Sequence, residues 1–327
     1  MSTQPAPSVA PYQIRGAEHR FVESGDVHLS VYEAGRGPTV VLCHGFPELA
    51  WSWRHQVAPL VHAGFRVVVP DQRGYGGSSI PSQVTDYDIL HLTGDLVGLL
   101  DSIGEEKAVF VGHDWGGIVV WQMALLHPER VAGVVGVNTP HLPRPPVPPV
   151  KLLKEAFGES HYIVWFQKPG EADAVLGADV RGVFRALMRK GVPPEVQRRA
   201  ATEAGSGSGL LAAADAGEPL MPEDELEVYV RTFENTGFTG GINWYRNLDR
   251  NWELTADVDQ HVRVPALMVT AEWDAFLPPS LADGMTSFVE DLTRVDIRGC
   301  GHWTQQEKPE ELSRAMVDWL VARFGRT

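Results

Sequence analysis

An aspartate at the centre of a short glycine-flanked segment is the residue of this chain best placed for nucleophilic chemistry. The segment reads GHDWGG over residues 112–117; the apolar run 108–111 precedes it and the apolar run 118–121 follows it. A strand, a sharp turn and a helix in this order make a nucleophile elbow, in which small neighbours allow a strained, exposed central side chain. The sequence therefore predicts Asp114 as the nucleophile.

The type of this side chain narrows the chemistry. A serine that attacks an sp³ carbon would leave an ether, whereas a carboxylate leaves an ester that water can hydrolyse. Aspartate also ionises without help from a base, since its unperturbed pKa is about 3.9. An aspartate at this position thus predicts an enzyme that opens a C–O or C–halogen bond at an alkyl carbon. An unrelated Gly-x-Asp-x-Gly loop is the alternative, because short glycine motifs are common.

A nucleophilic aspartate needs a base that activates water, and that base needs an acid to orient it. Among twelve histidines, His302 stands in a glycine-rich loop, RGCGHW at 298–303, after the last predicted strand. Asp274 follows the strand predicted at 266–271, and Glu272 is the rival acid. The chain order Asp114, Asp274, His302 is nucleophile, acid, base, as in α/β-hydrolases.

A second motif, HGFPE at residues 44–48, follows the strand predicted at 39–43. An ester intermediate is hydrolysed through a tetrahedral oxyanion, which needs two hydrogen-bond donors. The backbone N–H groups of Phe46 and Trp115 are the predicted oxyanion hole. Pro47 has no N–H to donate, and its ring could fix the turn through a cis bond.

Composition excludes several classes of function. The chain has 327 residues and a formal net charge of −14, which argues against nucleic acid and membranes as partners. No apolar run reaches the roughly 18 residues of a membrane span. Cys43 and Cys300 are too few for a disulfide framework, so we expect a cytoplasmic protein. Neither metal-site spacing nor a phosphate-binding glycine motif is present, and we expect no metal and no cofactor.

Apolar runs and helical patterns alternate along most of the chain, which predicts an α/β fold with a mostly parallel central sheet flanked by helices. The predicted strands are 28–33, 39–43, 66–70, 108–112, 131–138, 266–271 and 293–297. The predicted helices are 53–63, 89–103, 115–127, 279–288 and 309–324. The pattern breaks at 140–257, where helical stretches without a core strand predict an inserted α-helical cap. Residues 1–16 are expected to be a loose tail, and 17–139 with 258–327 the core.

The chain resembles α/β-hydrolase-fold epoxide hydrolases of the soluble and microbial soluble-like group, from about residue 17 to residue 324. The matching segments are HGFPE at 44–48, WSWRHQ at 51–56, DQRGYG at 71–76, GHDWGG at 112–117, NWYRN at 243–247 and GHW at 301–303, with Gln306-Glu307 and Pro309-Glu310. The resemblance implies a detoxifying enzyme that acts on a small-molecule epoxide and water, as a monomer or homodimer. The long glycine- and serine-rich loop at 205–221 departs from the family pattern.

The same resemblance implies two cap tyrosines, at the positions of Tyr162 and Tyr245. Epoxide opening develops negative charge on oxygen, and a phenol with a pKa near 10 can donate to it while un-ionised. The alternative is that both rings only pack the cap. The side chains expected to bind substrate are Phe46, Trp115, Trp165, Trp244, Phe276 and Trp303.

A haloalkane or haloacetate dehalogenase with the same Asp-His-Asp triad is the nearest alternative. It would need halide donors, commonly a tryptophan beside the nucleophile, and Trp115 fits either enzyme. The tyrosine pair favours the epoxide. A carboxylesterase is disfavoured because Asp114 replaces serine, and a receptor that has lost catalysis is disfavoured because every expected catalytic residue is present.

Overall fold

The computed structural model describes residues 12–197 and 217–325. Most of the expected N-terminal tail, residues 1–11, lies outside the described residues. The same holds for residues 205–216 of the glycine- and serine-rich loop.

Eight strands form one sheet, and their order confirms the predicted α/β fold. The strands are β1 (Glu18–Ser24), β2 (Val27–Ala34), β3 (Thr39–Cys43), β4 (Arg66–Pro70), β5 (Ala108–His113), β6 (Val131–Val137), β7 (Ala266–Ala271) and β8 (Leu292–Ile297). Their order across the sheet is β1-β2-β4-β3-β5-β6-β7-β8. The pairs β1–β2 and β2–β4 are antiparallel and the others are parallel.

The central strands are apolar because helices cover both faces of the sheet. Every residue of β3, β5 and β7 is buried, as expected for parallel strands packed on both sides. Strand β1 was not predicted. It lies at the sheet edge and exposes most of its charged sequence EHRFVES, so it lacks the apolar run by which the other strands were recognised.

Twelve α-helices have defined bounds in the described part of the chain. They are α1 (Arg54–His62), α2 (Ile89–Ile103), α3 (Trp115–Leu126), α4 (Pro149–Phe157), α5 (Tyr162–Phe166), α6 (Glu171–Ala178), α7 (Val180–Leu187), α8 (Glu223–Thr236), α9 (Thr239–Arg246), α10 (Leu248–Leu254), α11 (Thr304–Glu307) and α12 (Pro309–Phe324). The helix predicted at 279–288 was wrong. Two 3₁₀ turns, Pro279–Ala282 and Met285–Ser287, stand there instead, because the Asp283-Gly284 pair interrupts the pattern between them.

Helices α4 to α10 all lie between β6 and β7, and we call the described residues between these strands the helical insertion. Two of its short helices, α5 and α9, contact each other. Their aromatic rings join the same apolar core as the elbow residue Trp115. The helical insertion therefore packs directly over the end of β5.

Candidate active site

The residues predicted to do chemistry follow the carboxyl ends of neighbouring parallel strands. Asp114 comes after β5, Asp274 after β7 and His302 after β8. The carboxyl ends of parallel strands meet at one edge of an open sheet, where ligands bind. The fold thus brings together three side chains that are far apart in sequence.

Asp114 has the strained backbone expected of a nucleophile elbow. Its φ of 51° and ψ of −121° are unusual for a residue with a side chain. Gly45 must be glycine, since a Cβ there would stand 2.4 Å from the Asp114 Cβ. Gly116 is equally constrained, because its Cβ would meet the Cys43 carbonyl oxygen at 2.2 Å. The small residues around the turn therefore allow HGFPE and the elbow to approach each other.

The two backbone groups predicted as the oxyanion hole both face the Asp114 carboxylate. The Phe46 N–H donates to Asp114 Oδ1 over 2.7 Å, and the Trp115 N–H also donates to this carboxylate. The peptide bond between Phe46 and Pro47 is cis.

His302 and Asp274 form a buried pair. His302 Nδ1 lies 3.0 Å from Asp274 Oδ2 and 3.1 Å from Oδ1. The N–H groups of Phe276 and Leu277 donate to Asp274 Oδ1 over 2.9 and 3.0 Å. Asn138 donates from Nδ2 to Asp274 Oδ2 over 2.7 Å. These donors fix the carboxylate so that it orients the imidazole. The rival acid, Glu272, instead accepts from the exposed Gly299 N–H.

Asn138 is a site residue that the sequence reasoning did not single out. It follows β6, between the edge positions of Asp114 and Asp274, and has a left-handed φ of 64°. A polar residue directly after a buried parallel strand was the signal that could have identified it.

Charge in this cluster favours an ionised Asp274 and a protonated His302. Burial lowers the pKa of His302, but the Asp274 carboxylate and its hydrogen bond, with Asp114, outweigh burial and raise this pKa to about 9. Burial raises the pKa of Asp274, yet His302 outweighs it and lowers the value to about 2. Burial raises the pKa of Asp114 above its usual range, although His302 and the two backbone donors oppose the shift.

A small cavity of about 20 Å³ joins the Asp114 carboxylate to the helical insertion. Its lining residues are Phe46, Pro47, Asp114, Tyr162, Leu187, Tyr245, Phe276, His302 and Trp303. The cavity therefore brings together the nucleophile, the histidine and both tyrosines. Pro47 and Leu187 were not predicted to line it.

Tyr162 begins α5 and Tyr245 lies in α9, and both side chains line the cavity of Asp114. Their ring centroids are 5.9 Å apart. Burial, followed by the Asp114 charge, raises the pKa of both phenols above the usual value. Both hydroxyls are thus held protonated beside the carboxylate.

Three predicted substrate-binding tryptophans do not line this cavity. Trp244 is fully buried and donates from Nε1 to the Arg73 carbonyl oxygen over 3.1 Å. Trp165 packs against Phe166. Trp115 lines a neighbouring apolar cavity of about 300 Å³, and its ring stands edge-on to that of Tyr245.

A second buried contact between a histidine and a carboxylate lies beneath the His302 loop. His113 Nδ1 lies 2.8 Å from Glu48 Oε2, and its Nε2 donates to the His302 carbonyl oxygen over 2.7 Å. Gln305 donates to Glu48 Oε1 over 2.7 Å. The partners of His113 were not predicted, since they lie 65 and 189 residues away.

Within residues 12–197 and 217–325, no three histidine, cysteine, aspartate or glutamate side chains come together as a set that could hold a metal ion. In the same part of the chain, no helix combines the length and apolar character needed to cross a membrane.

Comparison with known proteins relates this arrangement to one family. Residues 38–309 match the family described as alpha/beta hydrolase fold. Epoxide hydrolase A of Mycobacterium tuberculosis is 46% identical over 311 residues, which cover 92% of this chain and 97% of that protein. Bifunctional epoxide hydrolase 2 of Sus scrofa is 42% identical, and the match covers 90% of this chain but 53% of that protein.

The fold is also similar to that of solved structures. The crystal structure of epoxide hydrolase A from Mycobacterium thermoresistibile superimposes with a TM-score of 0.85 and 43% sequence identity. The match covers 93% of this chain and 98% of that one.

Proposed function

We propose a covalent two-step mechanism for this chain, which belongs to the α/β-hydrolase-fold epoxide hydrolases. In this proposal Asp114 is the nucleophile, His302 the base and Asp274 the acid that orients the base. Tyr162 and Tyr245 donate to the epoxide oxygen. The product is a vicinal diol.

In the first step, an Asp114 oxygen attacks one carbon of the epoxide and forms an ester bond. The C–O bond of the ring breaks, and the electron pair goes to the ring oxygen. Tyr162 and Tyr245 donate hydrogen bonds to this oxygen, and one of them supplies its proton. A phenol whose pKa is raised by burial is un-ionised at neutral pH, and can therefore serve as this acid.

In the second step, His302 removes a proton from water, and the resulting hydroxide attacks the carboxyl carbon of Asp114. The tetrahedral oxyanion accepts from the N–H groups of Phe46 and Trp115. When the intermediate collapses, the diol oxygen leaves with the proton that His302 had taken. Hydroxide attack leaves Asp114 as a carboxylic acid, and transfer of its proton to the phenolate restores both the tyrosine and the Asp114 carboxylate.

The charges of the site fit this order of events. With Asp114 ionised, the pKa of His302 is about 9, and the imidazolium stabilises the carboxylate beside it. Esterification removes the negative charge of Asp114. The pKa of His302 then falls, since one of the carboxylates that raise it is gone. His302 therefore loses its proton more readily once the ester has formed.

The helical insertion is proposed to act as the cap, which spans residues 140–257. The core then comprises residues 17–139 and 258–327. It contributes Tyr162 and Tyr245 to the cavity that contains Asp114. Phe46, Phe276 and Trp303 line the rest of this cavity and would contact the substrate. The proposed partners are a small-molecule epoxide and water.

One observation carries this function: both phenols and the Asp114 carboxylate line the same cavity. The test compares diol formation from aryl and alkyl epoxides with chloride release from haloalkanes, using Asp114→Asn as the blank. We expect diol from the epoxides with the natural chain and none above background with Asp114→Asn. Chloride release faster than diol formation would contradict the proposal.

A further inference from the structure

The backbone at Gly191 crosses the backbone at Gly301 at the point where the helical insertion meets the loop that carries His302. A Cβ on Gly191 would stand 2.4 Å from the Gly301 Cα, and a Cβ on Gly301 would stand 2.5 Å from the Gly191 Cα. No larger residue fits at either position without movement of a backbone. The crossing therefore fixes the residue next to His302 against the helical insertion.

The Glu307 carboxylate ties the two crossing backbones together. Its Oε2 accepts from the Gly301 N–H over 2.9 Å and from the Gly191 N–H over 3.1 Å, and its Oε1 lies 3.2 Å from the Gly191 nitrogen. Glu307 is the last residue of α11, which begins two residues after His302. One side chain thus links the His302 loop, its following helix and the helical insertion.

A second contact holds the other side of His302. Trp303 donates from Nε1 to the Leu187 carbonyl oxygen over 2.7 Å, and this bond is buried. Leu187 ends α7 and also lines the cavity of Asp114. The residues on both sides of His302 are therefore attached to the helical insertion.

The Glu307 carboxylate is well suited to this contact. It is partly buried, and its charge faces Lys308 and Lys190. Burial raises the pKa of Glu307, while the two glycine N–H bonds and these lysines oppose the shift. A carboxylate has acceptor sites for both N–H groups at once, whereas an amide would turn a donor toward one of them.

We infer that Glu307 is a positioning residue for the hydrolytic half of the reaction, because it sets His302 relative to the Asp114 ester through Gly301 and Gly191. The inference rests on the two-step mechanism proposed above. Glu307 does not line the cavity, so it has no part in the attack of Asp114 on the epoxide. Its loss should therefore slow ester hydrolysis and leave ester formation nearly unchanged.

The test measures the two half-reactions separately in single-turnover experiments, by following the mass of the intact protein after mixing with an epoxide. Glu307→Gln is compared with Glu310→Gln, which removes the same charge from an exposed position three residues away. A misplacement of about 1 Å can cost about 100-fold in rate. We expect ester hydrolysis to slow about 10- to 100-fold in Glu307→Gln, with ester formation within about 3-fold of the natural chain.

A second variant disturbs the same contact by changing Gly191 instead of Glu307. Gly191→Ala adds a Cβ that forces the glycine crossing apart but changes neither Glu307 nor any residue of the triad. We expect the same selective loss, namely slow hydrolysis and accumulated ester. Circular dichroism of both variants checks that they fold, and Glu307→Asp should recover part of the hydrolytic rate because it restores a carboxylate.

The possible outcomes distinguish a failure of this inference from a failure of the proposed two-step mechanism. Ester that accumulates in Glu307→Gln and Gly191→Ala, but not in Glu310→Gln, would support the inference. Equal slowing of both half-reactions, or hydrolysis at the natural rate in a folded Glu307→Gln, would overturn it while leaving the mechanism intact. If the natural chain and His302→Gln both turn over epoxide without any ester, the mechanism and the inference both fail.

Discussion

His302 Nε2 lies 3.8 Å from Asp114 Oδ2, beyond hydrogen-bonding distance. The nucleophile is held instead by the Phe46 and Trp115 N–H groups, and the imidazole by Asp274. The base nitrogen therefore faces the carboxylate without being bonded to it. This spacing suits a base that acts on water rather than on the nucleophile.

The division between nucleophile and base predicts a trapped intermediate. His302→Gln removes the base but leaves the Asp114 carboxylate and its backbone donors. We expect ester formation to continue and hydrolysis to fall at least about 100-fold, so that the intact protein gains the mass of one epoxide. Mass spectrometry after brief exposure to substrate measures this gain.

His62→Gln is the control for this experiment, since His62 lies at the end of α1, away from the cavity. It should turn over normally, so that any gain in mass disappears within the turnover time. If His302→Gln hydrolysed the ester at the natural rate, another base would have to act, and Glu48 and His113 beneath the loop would be the candidates.

The two tyrosines are expected to share one task. Loss of one donor to a developing oxyanion costs about 10²- to 10³-fold in rate, but a second donor on the same oxygen softens a single loss. We therefore expect a moderate fall in the rate of ester formation for Tyr162→Phe or Tyr245→Phe, and near-abolition for the double variant. Rapid-quench measurement of ester formation gives these rates.

Tyr87→Phe is the matched control, because the Tyr87 hydroxyl is buried but donates to the Pro81 carbonyl oxygen outside the cavity. The thermal stability of both single variants should stay close to that of the natural chain. A double variant that still opens epoxides at the natural rate would remove the main support for the role of the tyrosines.

The His302–Asp274 pair predicts how stability depends on pH. The folded-state pKa of His302 is raised from 6.5 to about 9, so its contribution to stability is complete below pH 6.5 and is lost as pH rises through about 9. Each pKa unit corresponds to about 1.4 kcal/mol. Both proteins are compared between about pH 6 and about pH 10. Over this range we expect the free energy of unfolding to fall by about 2–3 kcal/mol more in the natural chain than in Asp274→Asn.

Urea unfolding of both proteins at the two pH values measures this difference. Other titrating groups are common to the two proteins, so their contributions cancel in the comparison. Parallel curves for the natural chain and Asp274→Asn would show that Asp274 does not hold His302 in its charged form.

The surroundings of Trp115 predict little halide chemistry. A dehalogenase would need the indole N–H to hold the leaving halide. Here Trp115 does not line the cavity of Asp114, and its ring stands edge-on to Tyr245 with 5.1 Å between the centroids. We expect chloride release from haloalkanes to stay near the Asp114→Asn background. Chloride release well above that background in the natural chain would contradict this expectation.

Most of the fold could be predicted because its strands and helices carry strong local signals. The runs at 39–43, 66–70 and 266–271 became strands with these same bounds, since parallel strands buried on both faces are apolar throughout. The edge strand β1 has a charged sequence and was missed. The two 3₁₀ turns that begin at Pro279 and Met285 were mistaken for one helix because the break at Asp283-Gly284 was overlooked.

The site residues also fall into two groups, those with a local sequence signal and those whose partners are distant in the sequence. Motifs with glycine or proline at fixed offsets identified Asp114 and His302, since the turns themselves require those residues. The contact of Asn138 with Asp274 and that of Glu307 with Gly191 join residues 136 and 116 positions apart. Such pairs depend on the strand order and on how the helical insertion packs, and no local pattern encodes them.

The most direct test of the covalent mechanism is a single turnover in H₂¹⁸O with enzyme in excess over an epoxide. If Asp114 forms the ester and water attacks its carboxyl carbon, the first diol carries an unlabelled oxygen from Asp114. The label then appears in the peptide that contains Asp114, where tandem mass spectrometry can locate it. Label in the diol of the first turnover, with none in Asp114, would show that water attacks the epoxide directly and would contradict the mechanism.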